Sequence, residues 1–341
     1  MHKSIAFVCG GIGDQLYHFT QMQALAQRDR RGQIDIACLH PAIMSKIVQR
    51  CSWAGEIFDL SGARRLSQPR AFLRFMRQLA ARQYSHSYIL HTSSSFKLAC
   101  QLARIPHRIG LAGHAADRLM LSRSLELDAG GARRSDWGHR PFIAAIDAYL
   151  ESTLETGQYQ ALSANTPIQP NEHDLKQQER YQHLPRPWIV ANLFAQDEAR
   201  RWPVGHALRC FGQLADRLGG TIFLNAGADA ASWHSEVIRQ WTGTGQIIHT
   251  LDDYSDIHQD IALYHLADIY LGVDSFTANL ALNCDVKSVI LFNKQADVLN
   301  YRSEVRPIYP GPGEVISDLP VNHICDEVEM LAGGHIAARQ K

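Results

Sequence analysis

Long hydrophobic runs are missing from this sequence of 341 residues. After the opening MHK the first apolar stretch is only IAFV, and no later stretch approaches the ~20 apolar residues that a membrane-spanning helix needs. Hydrophobic residues make up 45% of the chain and charged residues 20%, which is typical of a globular protein and excludes a disordered one. We therefore expect a cytoplasmic protein with neither a signal peptide nor a membrane-spanning helix.

Paired cysteines and metal-binding motifs are also lacking. The seven cysteines stand singly, with no C-x-x-C spacing, and the 17 histidines form no H-E-x-x-H motif. A D-x-D motif is absent as well. The sequence therefore predicts neither a disulfide framework nor a zinc site, and we expect no metal and no resident cofactor.

The net charge of the chain is zero, but its two halves differ in charge. Residues 1–150 contain 20 Lys and Arg against 10 Asp and Glu, whereas the remaining residues contain 14 and 24. A basic first half indicates an acidic partner such as nucleic acid, anionic lipid or a phosphorylated substrate, and attraction between the two halves is the alternative. Because no RNP-like or helix-turn-helix pattern is present, nucleic acid is not the expected partner.

Short apolar stretches alternate with longer amphipathic ones in both halves. This alternation predicts parallel sheets with crossover helices, and the Gln-, Asn- and Pro-rich residues 161–187 indicate a linker. We predict an α/β protein with two Rossmann-like domains, residues 1–160 and 188–341, which face each other across a ligand-binding cleft. The final helix of the second domain can return to pack on the first.

A glycine-rich turn follows the first predicted strand, in FVCGGIGDQLYHF (7–19). A dinucleotide fingerprint G-x-G-x-x-G would need its third glycine where Leu16 stands, and the G-K-[ST] of a phosphate loop is missing. The glycines, which are Gly10, Gly11 and Gly13, permit a tight turn from strand to helix. Asp14 then begins the helix, where a carboxylate either complements the helix dipole or serves in catalysis.

Two clusters in the second half combine charge with a predicted helix start. In DEARRWP (197–203), Arg200 and Arg201 follow a strand, so they either neutralise a diphosphate or form a solvated basic pair. In LGVDSFTANLALNC (271–284), a buried strand ends at Asp274 and a helix begins near Ser275. Either Asp274 or Ser275 is simply the N-cap of this helix, or the two residues help the first amides of the helix to bind a phosphate.

The segment PRAFLRFMRQLAARQ (69–83) has an apolar stripe with arginines between the apolar residues. Its favoured interpretation is a crossover helix that packs its stripe on the sheet. A basic amphipathic helix at a membrane surface has the same pattern, and a crossover helix could still present its basic outer face to lipid phosphates.

In their order and spacing, these motifs resemble those of the ADP-heptose:lipopolysaccharide heptosyltransferases, glycosyltransferase family 9. The G-D turn, an R-[RK]-W-P type segment and V-D-S before a helix carry the resemblance, and stretches 95–113, 201–229 and 267–292 are similar to further family segments. The resemblance covers most of the chain. It implies the GT-B fold, in which two Rossmann-like domains face each other across a cleft.

The resemblance also implies a role for each matching residue. Asp14 matches the general base that takes a proton from the acceptor hydroxyl, and the three glycines match the turn on the acceptor side. Arg200 matches the basic residue that steadies the donor diphosphate, with Arg201 beside it. The other donor-site positions are Asp229 near the nucleoside, Asp274 beside the transferred sugar, Ser275 in the phosphate grip, and Phe276 and Asn279, which stand where the family has glycine and histidine.

The function that follows is inverting, metal-independent transfer of a sugar, a heptose from ADP-heptose, to a lipopolysaccharide-core or related glycan acceptor. Because Phe276 and Asn279 depart from the family pattern, one alternative is a transferase of the same fold with another nucleotide sugar. The other is a relative that binds a nucleotide sugar or glycan without catalysis. The expected partners are the nucleotide sugar and a phosphorylated glycolipid or oligosaccharide, with peripheral contact at the cytoplasmic face of the inner membrane.

Overall fold

The structure is a computed structural model that describes residues 3–64, 67–125, 140–163, 166–225, 230–243, 245–249, 257–293 and 304–339. The chain divides into two compact units, Met1–Gln169 and Pro170–Lys341. The division falls within the segment 161–187 for which the sequence predicts a linker.

The first unit contains a six-stranded parallel sheet. Its strands are β1 (Ser4–Phe7), β2 (Ile34–Cys38), β3 (Ala54–Asp59), β4 (His86–Ile89), β5 (His107–Leu111) and β6 (Arg123–Leu125). Its helices are α1 (Ile12–Leu16), α2 (Phe19–Ala26), α3 (Pro41–Val48), α4 (Ser61–Arg64), α5 (Pro69–Arg82), α6 (Ser94–Leu102), α7 (Ala115–Met120), α8 (Arg140–Thr153) and α9 (Gln158–Ser163). The spatial order of the strands is β3-β2-β1-β4-β5-β6.

The second unit repeats this arrangement. Its strands are β7 (Trp188–Asn192), β8 (Thr221–Leu224), β9 (Gln246–His249), β10 (Ile269–Val273), β11 (Ser288–Leu291) and β12 (Val305–Ile308). Its helices are α10 (Glu172–Tyr181), α11 (Val204–Leu218), α12 (Ala231–Gln240), α13 (Ile257–Leu266), α14 (Phe276–Asn283) and α15 (Val321–Arg339). The strands are parallel in the order β12-β11-β10-β7-β8-β9.

Both sheets have the strand order of a Rossmann fold, in which the first strand lies beside the fourth at the centre. The connections leave β1 and β4 in opposite directions across the first sheet, and β7 and β10 in opposite directions across the second. Ligands of such sheets bind at this switch point, outside the carboxyl ends of the strands. The predicted fold class, α/β with two Rossmann-like domains, is confirmed.

Apolar spacing and end signals account for the main helices. Helix α5 begins at Pro69, whose missing N–H costs nothing in a first turn, and its C-cap Gln83 lies in the left-handed region with φ 52°. It buries Phe72, Phe75 and Leu79 in the core beside the sheet, as the crossover interpretation predicts. In the second unit, α11 buries a stripe of the same spacing and ends at Gly219 with φ 64°.

The predicted linker is more ordered than its composition indicates. Helix α10 lies within it, because the residues LKQQER (175–180) are good helix formers and the helix packs against α13. At the other end of the unit, α15 contributes Ile324, Val328 and Leu331 to the core of the second unit. Its return to the first domain stays a prediction.

The cysteines behave as small apolar side chains. Six of the seven are buried, Cys9 is half-buried, and none forms a disulfide. Cys210 on α11 and Cys325 on α15 pack together with their sulfur atoms 3.5 Å apart. Among the described helices, none is both long and apolar enough to cross a membrane.

Candidate active site

A hollow of about 840 Å³ opens at the switch point of the first unit. The turn Cys9–Gly11 after β1 forms one side, and residues that follow β2, β3 and β4 form the rest. The polar side chains among them are those of His40, Ser61, Gln68, His91 and Ser93. Hydroxyl, amide and imidazole groups of this kind donate and accept hydrogen bonds, which suits a polar ligand such as a sugar.

Asp14 lies beside this hollow because the glycine turn folds back on its carboxylate. Gly10 has φ +108°, a conformation that favours glycine, and a Cβ atom built there would come within 2.6 Å of Asp14 Oδ2. The Gly11 N–H donates to Asp14 Oδ2 at 2.8 Å. Asp14 occupies the third position of α1, so its carboxylate also faces the positive end of that helix.

The same turn is held from behind by Gln15, which the sequence analysis missed. Its side chain is buried, and Nε2 lies 3.2 Å from the carbonyl oxygens of both Gly10 and Gly11. A buried amide that holds two carbonyls fixes the turn, and with it the direction of the neighbouring carboxylate. Gly13, the third glycine of the turn, precedes Asp14 inside α1 and is half-buried.

A buried ion pair braces the opposite side of the hollow. Lys97 Nζ lies 3.0 Å from Asp117 Oδ2, and both side chains are fully buried. Lys97 also donates to the Ser93 carbonyl at 3.2 Å, and Asp117 accepts hydrogen bonds from Ser94 Oγ and the Gly113 N–H. Burial alone would raise the pKa of the Asp117 carboxyl, but these hydrogen bonds and the Lys97 charge hold that pKa below its ordinary value.

In the second unit, the structure brings Arg200 and Asp274 together from positions 74 residues apart. Arg200 lies in a short 3₁₀ turn, Glu198–Arg200, after β7, and Asp274 directly follows β10. One guanidinium nitrogen of Arg200 is 3.2 Å from the Asp274 carbonyl oxygen and 3.7 Å from Oδ2 of its carboxylate. Both side chains are partly exposed, so a cation is available to a ligand at this switch point.

Hydroxyl groups between β7, β10 and α14 form a buried network beside this pair. Asn192 Nδ2 donates to Thr277 Oγ1 at 2.6 Å, and Thr277 Oγ1 lies 3.0 Å from the Tyr270 hydroxyl and 2.9 Å from Ser275 Oγ. Burial raises the pKa of Tyr270, which therefore stays protonated. Gly272 leaves room for this hydroxyl, since a Cβ atom there would lie 2.1 Å from it.

Ser275 belongs to this network and does not cap α14 with its side chain. Ser275 is the N-cap of α14, but its side chain makes no capping hydrogen bond because its hydroxyl contacts Thr277. The first amides of a helix have no intrahelical acceptor, so those of α14 are available to an anion. Phe276, half-buried, is the first residue of the helix, and the buried Asn279 donates from Nδ2 to the Ser275 carbonyl at 3.2 Å.

Of the two remaining predicted donor-site residues, Arg201 does not join this group. Arg201 braces its own loop, because its guanidinium donates to the carbonyls of Ala195 and Gln196 and stacks over the ring of Phe194 at 4.5 Å. Asp229 lies outside the described residues. The sequence did not predict roles for Asn192 and Thr277. Asn192 had one signal, a polar residue at the end of an otherwise apolar strand, and Thr277, inside α14, had none.

The two switch points differ in what they can do chemically. The first has a carboxylate oriented by the Gly11 backbone amide, and a carboxylate can accept a proton from a hydroxyl. The second has a guanidinium and unoccupied helix amides, groups that stabilise growing negative charge on a phosphate. By its fold, the chain belongs to the class of α/β proteins that are built from two Rossmann-like units.

Solved structures of this class resemble the chain over nearly its whole length. The structure of a glycosyltransferase of family 9 from Veillonella parvula is 13% identical, with a TM-score of 0.73 and 97% of each chain covered. The E. coli ADP-heptose LPS heptosyltransferase II is 19% identical, with a TM-score of 0.71 and coverage of 96% of this chain and 98% of that one.

A third structure, an E. coli heptosyltransferase with ADP-2-deoxy-2-fluoro heptose, is 14% identical, with a TM-score of 0.69 and coverage of 96% and 99%. No protein-family model and no curated protein sequence matches the chain. The resemblance indicated by the sequence motifs is therefore confirmed at the level of the fold.

Proposed function

We propose that this protein is an inverting glycosyltransferase that moves a sugar from a nucleotide-diphosphate sugar to a glycan acceptor. The observation that carries the proposal is the division of chemistry between the two units. The first unit presents Asp14 beside a polar hollow, and the second presents Arg200 beside an uncapped helix. The acceptor would bind to the first unit and the donor to the second.

Asp14 acts as the general base in this reaction. Its carboxylate takes the proton of the acceptor hydroxyl, whose oxygen attacks the anomeric carbon of the donor and forms the new glycosidic bond. The bond from that carbon to the diphosphate oxygen breaks, and the nucleoside diphosphate leaves with the electron pair. Attack from the face opposite the leaving group inverts the anomeric carbon, and a positioned base of this kind contributes about 10²–10⁴-fold to the rate.

Arg200 and the first amides of α14 stabilise the leaving diphosphate, and no metal ion is required for this step in the proposal. The guanidinium is already placed by the Asp274 carbonyl, so little reorganisation accompanies binding. Asp274 lies beside the transferred sugar, where its carboxylate can accept a hydrogen bond from a sugar hydroxyl. Ser275 and Thr277 hold the helix start at which the phosphates bind.

We propose ADP-heptose as the donor and a phosphorylated lipopolysaccharide-core glycolipid, at the cytoplasmic face of the inner membrane, as the acceptor. Support for the donor comes from the motifs of the second unit and from fold neighbours described as ADP-heptose enzymes. The basic balance of residues 1–150 supports an anionic acceptor. Phe276 and Asn279 are the positions at which another nucleotide sugar would be selected.

The variant Asp14→Asn tests the proposal. It keeps the size of the side chain but removes the base, so kcat should fall by about 10²–10⁴-fold while the affinity for the donor stays within about twofold. Asp318→Asn is the matched control, because Asp318 also occupies a third position and accepts a backbone N–H at 2.9 Å, but at an exposed turn of the second unit. A fully active Asp14→Asn enzyme would refute the base assignment.

The donor is identified by thermal stabilisation with a panel of nucleotide sugars and free nucleotides. A ligand present at 100 times its Kd stabilises the protein by about 2.7 kcal/mol, which is readily detected as a shift in Tm. We expect ADP-heptose and ADP to give the largest shifts. If only a UDP sugar stabilises the protein, the donor is that UDP sugar and not ADP-heptose. If a nucleotide sugar stabilises the protein but no acceptor receives the sugar, the result favours a binding protein over an enzyme.

A further inference from the structure

Helix α5 has two faces of opposite character. One buries Phe72, Phe75 and Leu79 in the first unit. The other is exposed and is formed by residues spaced like one helix face, which line a shallow hollow of about 590 Å³: Arg70, Leu73, Arg74, Arg77, Gln78 and Ala81. We name this set the α5 arginine face. At 1.5 Å per residue, its three arginines span about 10 Å of the helix.

The charges of this face are not neutralised within the described part of the chain. None of the 14 residues of α5 is acidic, and no described carboxylate lies within ion-pair distance of Arg70, Arg74 or Arg77. Two other exposed arginines are paired. Arg82 of the same helix pairs with Glu56 at 2.6 Å, and Arg217 pairs with Asp326 at 2.6 Å. The three unpaired guanidiniums therefore form a local concentration of positive charge.

An apolar side chain lies within this positive charge. Leu73 is 43% exposed, and it is the large apolar residue on the face. An exposed leucine gains nothing on a face that only meets water. On a helix that lies on a bilayer, the same side chain is buried among the lipid headgroups while the arginines contact lipid phosphates. Charge and apolar exposure together favour a lipid surface over a nucleic acid, which would use the charge alone.

The start of α5 also lies at the hollow beside Asp14. Gln68 is the N-cap of α5, and it lines the hollow of about 840 Å³ together with Gly10 and Gly11. Arg70 follows it by two residues. A surface bound along the α5 arginine face would therefore hold its headgroups at the rim of the proposed acceptor site.

We infer that the α5 arginine face docks the protein on an anionic lipid bilayer. The inference deepens the proposed function, since it rests on a lipid-linked acceptor for its purpose, but the surface itself is defined without reference to catalysis. Three arginines and one leucine give weak, reversible binding, which becomes weaker as salt screens the charges. Such binding concentrates the enzyme where a glycolipid resides and still permits release.

The test is co-sedimentation of the full chain with vesicles made of equal parts phosphatidylglycerol and phosphatidylcholine, which contain no sugar. Vesicles of phosphatidylcholine alone are the lipid control. The unmodified protein should bind the anionic vesicles, and Arg70→Gln/Arg74→Gln/Arg77→Gln should weaken that binding on the order of 100-fold. Leu73→Ser should weaken it less, because it removes apolar contact and no charge.

A matched variant separates position from charge. Arg180→Gln/Arg209→Gln/Arg239→Gln removes the same charge from exposed sites of the second unit, and it should bind the vesicles nearly as well as the unmodified protein. Equal losses in the two triple variants would overturn the inference. So would an unmodified protein that ignores anionic vesicles, or one that binds a single-stranded oligonucleotide through these arginines but no vesicle.

The outcome is distinguishable from failure of the proposed function. Stabilisation by ADP reports on the second unit, and it should be the same in the unmodified protein and in the α5 triple variant. ADP binding without vesicle binding would leave the proposed function standing and remove the docking surface. Vesicle binding without stabilisation by any nucleotide would support the docking surface and contradict the proposed function.

Discussion

The two Rossmann-like units have the same strand order but stabilise their switch points by different chemistry. In the first unit, the loop after β4 is braced by a fully buried ion pair between Lys97 and Asp117. In the second, the corresponding loop after β10 is braced by neutral groups, with Asn192 and Thr277 at 2.6 Å. The topology of the sheet therefore determines where a site lies, but it does not determine which interactions stabilise the loops of that site.

This difference matches the ligands that we propose for each unit. A buried ion pair has its charge already neutralised, so it supports the loop beside Asp14 without adding a net charge there. The hydroxyl network likewise contributes no net charge, and Arg200 supplies a cation beside the α14 start through its contact with Asp274. Neither the ion pair nor the hydroxyl network adds a net charge to its site, so in the proposal the reactive charge comes from Asp14 in the first unit and from Arg200 in the second.

Lys97→Met should have the largest effect on the comparison. It leaves the Asp117 carboxylate buried without its cation, which costs about 3–5 kcal/mol in the free energy of unfolding. Urea denaturation measures this, with the exposed Lys176→Met as the control. Adding Asp117→Leu should recover much of the loss, because both charges are then absent; a double variant as unstable as the single one would contradict the ion-pair account.

The same variant predicts a pH dependence. The pKa of Asp117 is held below its ordinary value of about 3.9, so its contribution to stability is complete above that pH and is lost as the pH falls through the lowered pKa. In Lys97→Met, the charge and hydrogen bond of the lysine no longer lower that pKa, so burial moves it upward from its value in the unmodified protein. The cost of the substitution should therefore shrink as the pH falls from 7 towards about 4. A cost that is constant over this range would count against a charged Asp117.

Arg200→Ala should have the next largest effect, and on binding more than on folding. Losing a hydrogen bond to a charged phosphate should weaken the affinity for ADP about 10- to 100-fold, as measured by calorimetry. Arg209→Ala, an exposed site on α11, is the control and should bind ADP normally. Arg201→Ala should affect ADP less than Arg200→Ala, since its guanidinium is engaged by loop carbonyls; the reverse ranking would exchange the two roles.

Thr277→Val removes the hydroxyl at the centre of the neutral network. The buried Asn192 amide then lacks its acceptor, and the free energy of unfolding should fall by about 1–3 kcal/mol. Thr277→Ser keeps the hydroxyl and should lose less. In contrast to Lys97→Met, the cost should not vary between pH 4 and 8, because burial raises the pKa of Tyr270 and no other group of the network titrates there. A pH-dependent cost would break the comparison.

Gly10→Ala should have the smallest effect on stability, about 1–2 kcal/mol for a side chain in the left-handed region. Its consequence for activity should be larger, because the new Cβ would displace the Asp14 carboxylate. Gly157→Ala is the matched control: its φ is +79°, and nothing lies within 4 Å of its Cβ position. If both variants lose activity equally, the turn has no special relation to Asp14.

Strands that are apolar runs and strands interrupted by polar residues differed in how well the sequence predicted them. The strands β1, β2, β7, β10 and β11 are buried apolar runs, and the alternation with helices predicted them. The strands β3, β5, β6 and β12 were not predicted, since charged residues, glycine or proline interrupt each of them and none has a continuous apolar run. Pro307 is tolerated in β12 because that strand lies at the edge of the sheet.

The candidate sites show a similar division. Asp274 ends a predicted strand, and Asp14 and Arg200 lie in the segments that follow predicted strands, so the rule that ligands bind at the carboxyl ends of strands singled them out. Their roles in the reaction stay predictions. Lys97 was hidden within an amphipathic helix pattern, and its partner Asp117 lies 20 residues away in a segment with no predicted element.

The sequence by itself determined the two αβ repeats, the tight glycine turn before Asp14 and the basic stripe of α5, because each depends on neighbours within a few residues. Only the tertiary structure decided which distant side chains meet: Arg200 with Asp274, Asn192 with Thr277 across 85 residues, and Lys97 with Asp117. Such pairs form where parallel strands end together, and the order of strands in a sheet is a property of the folded chain.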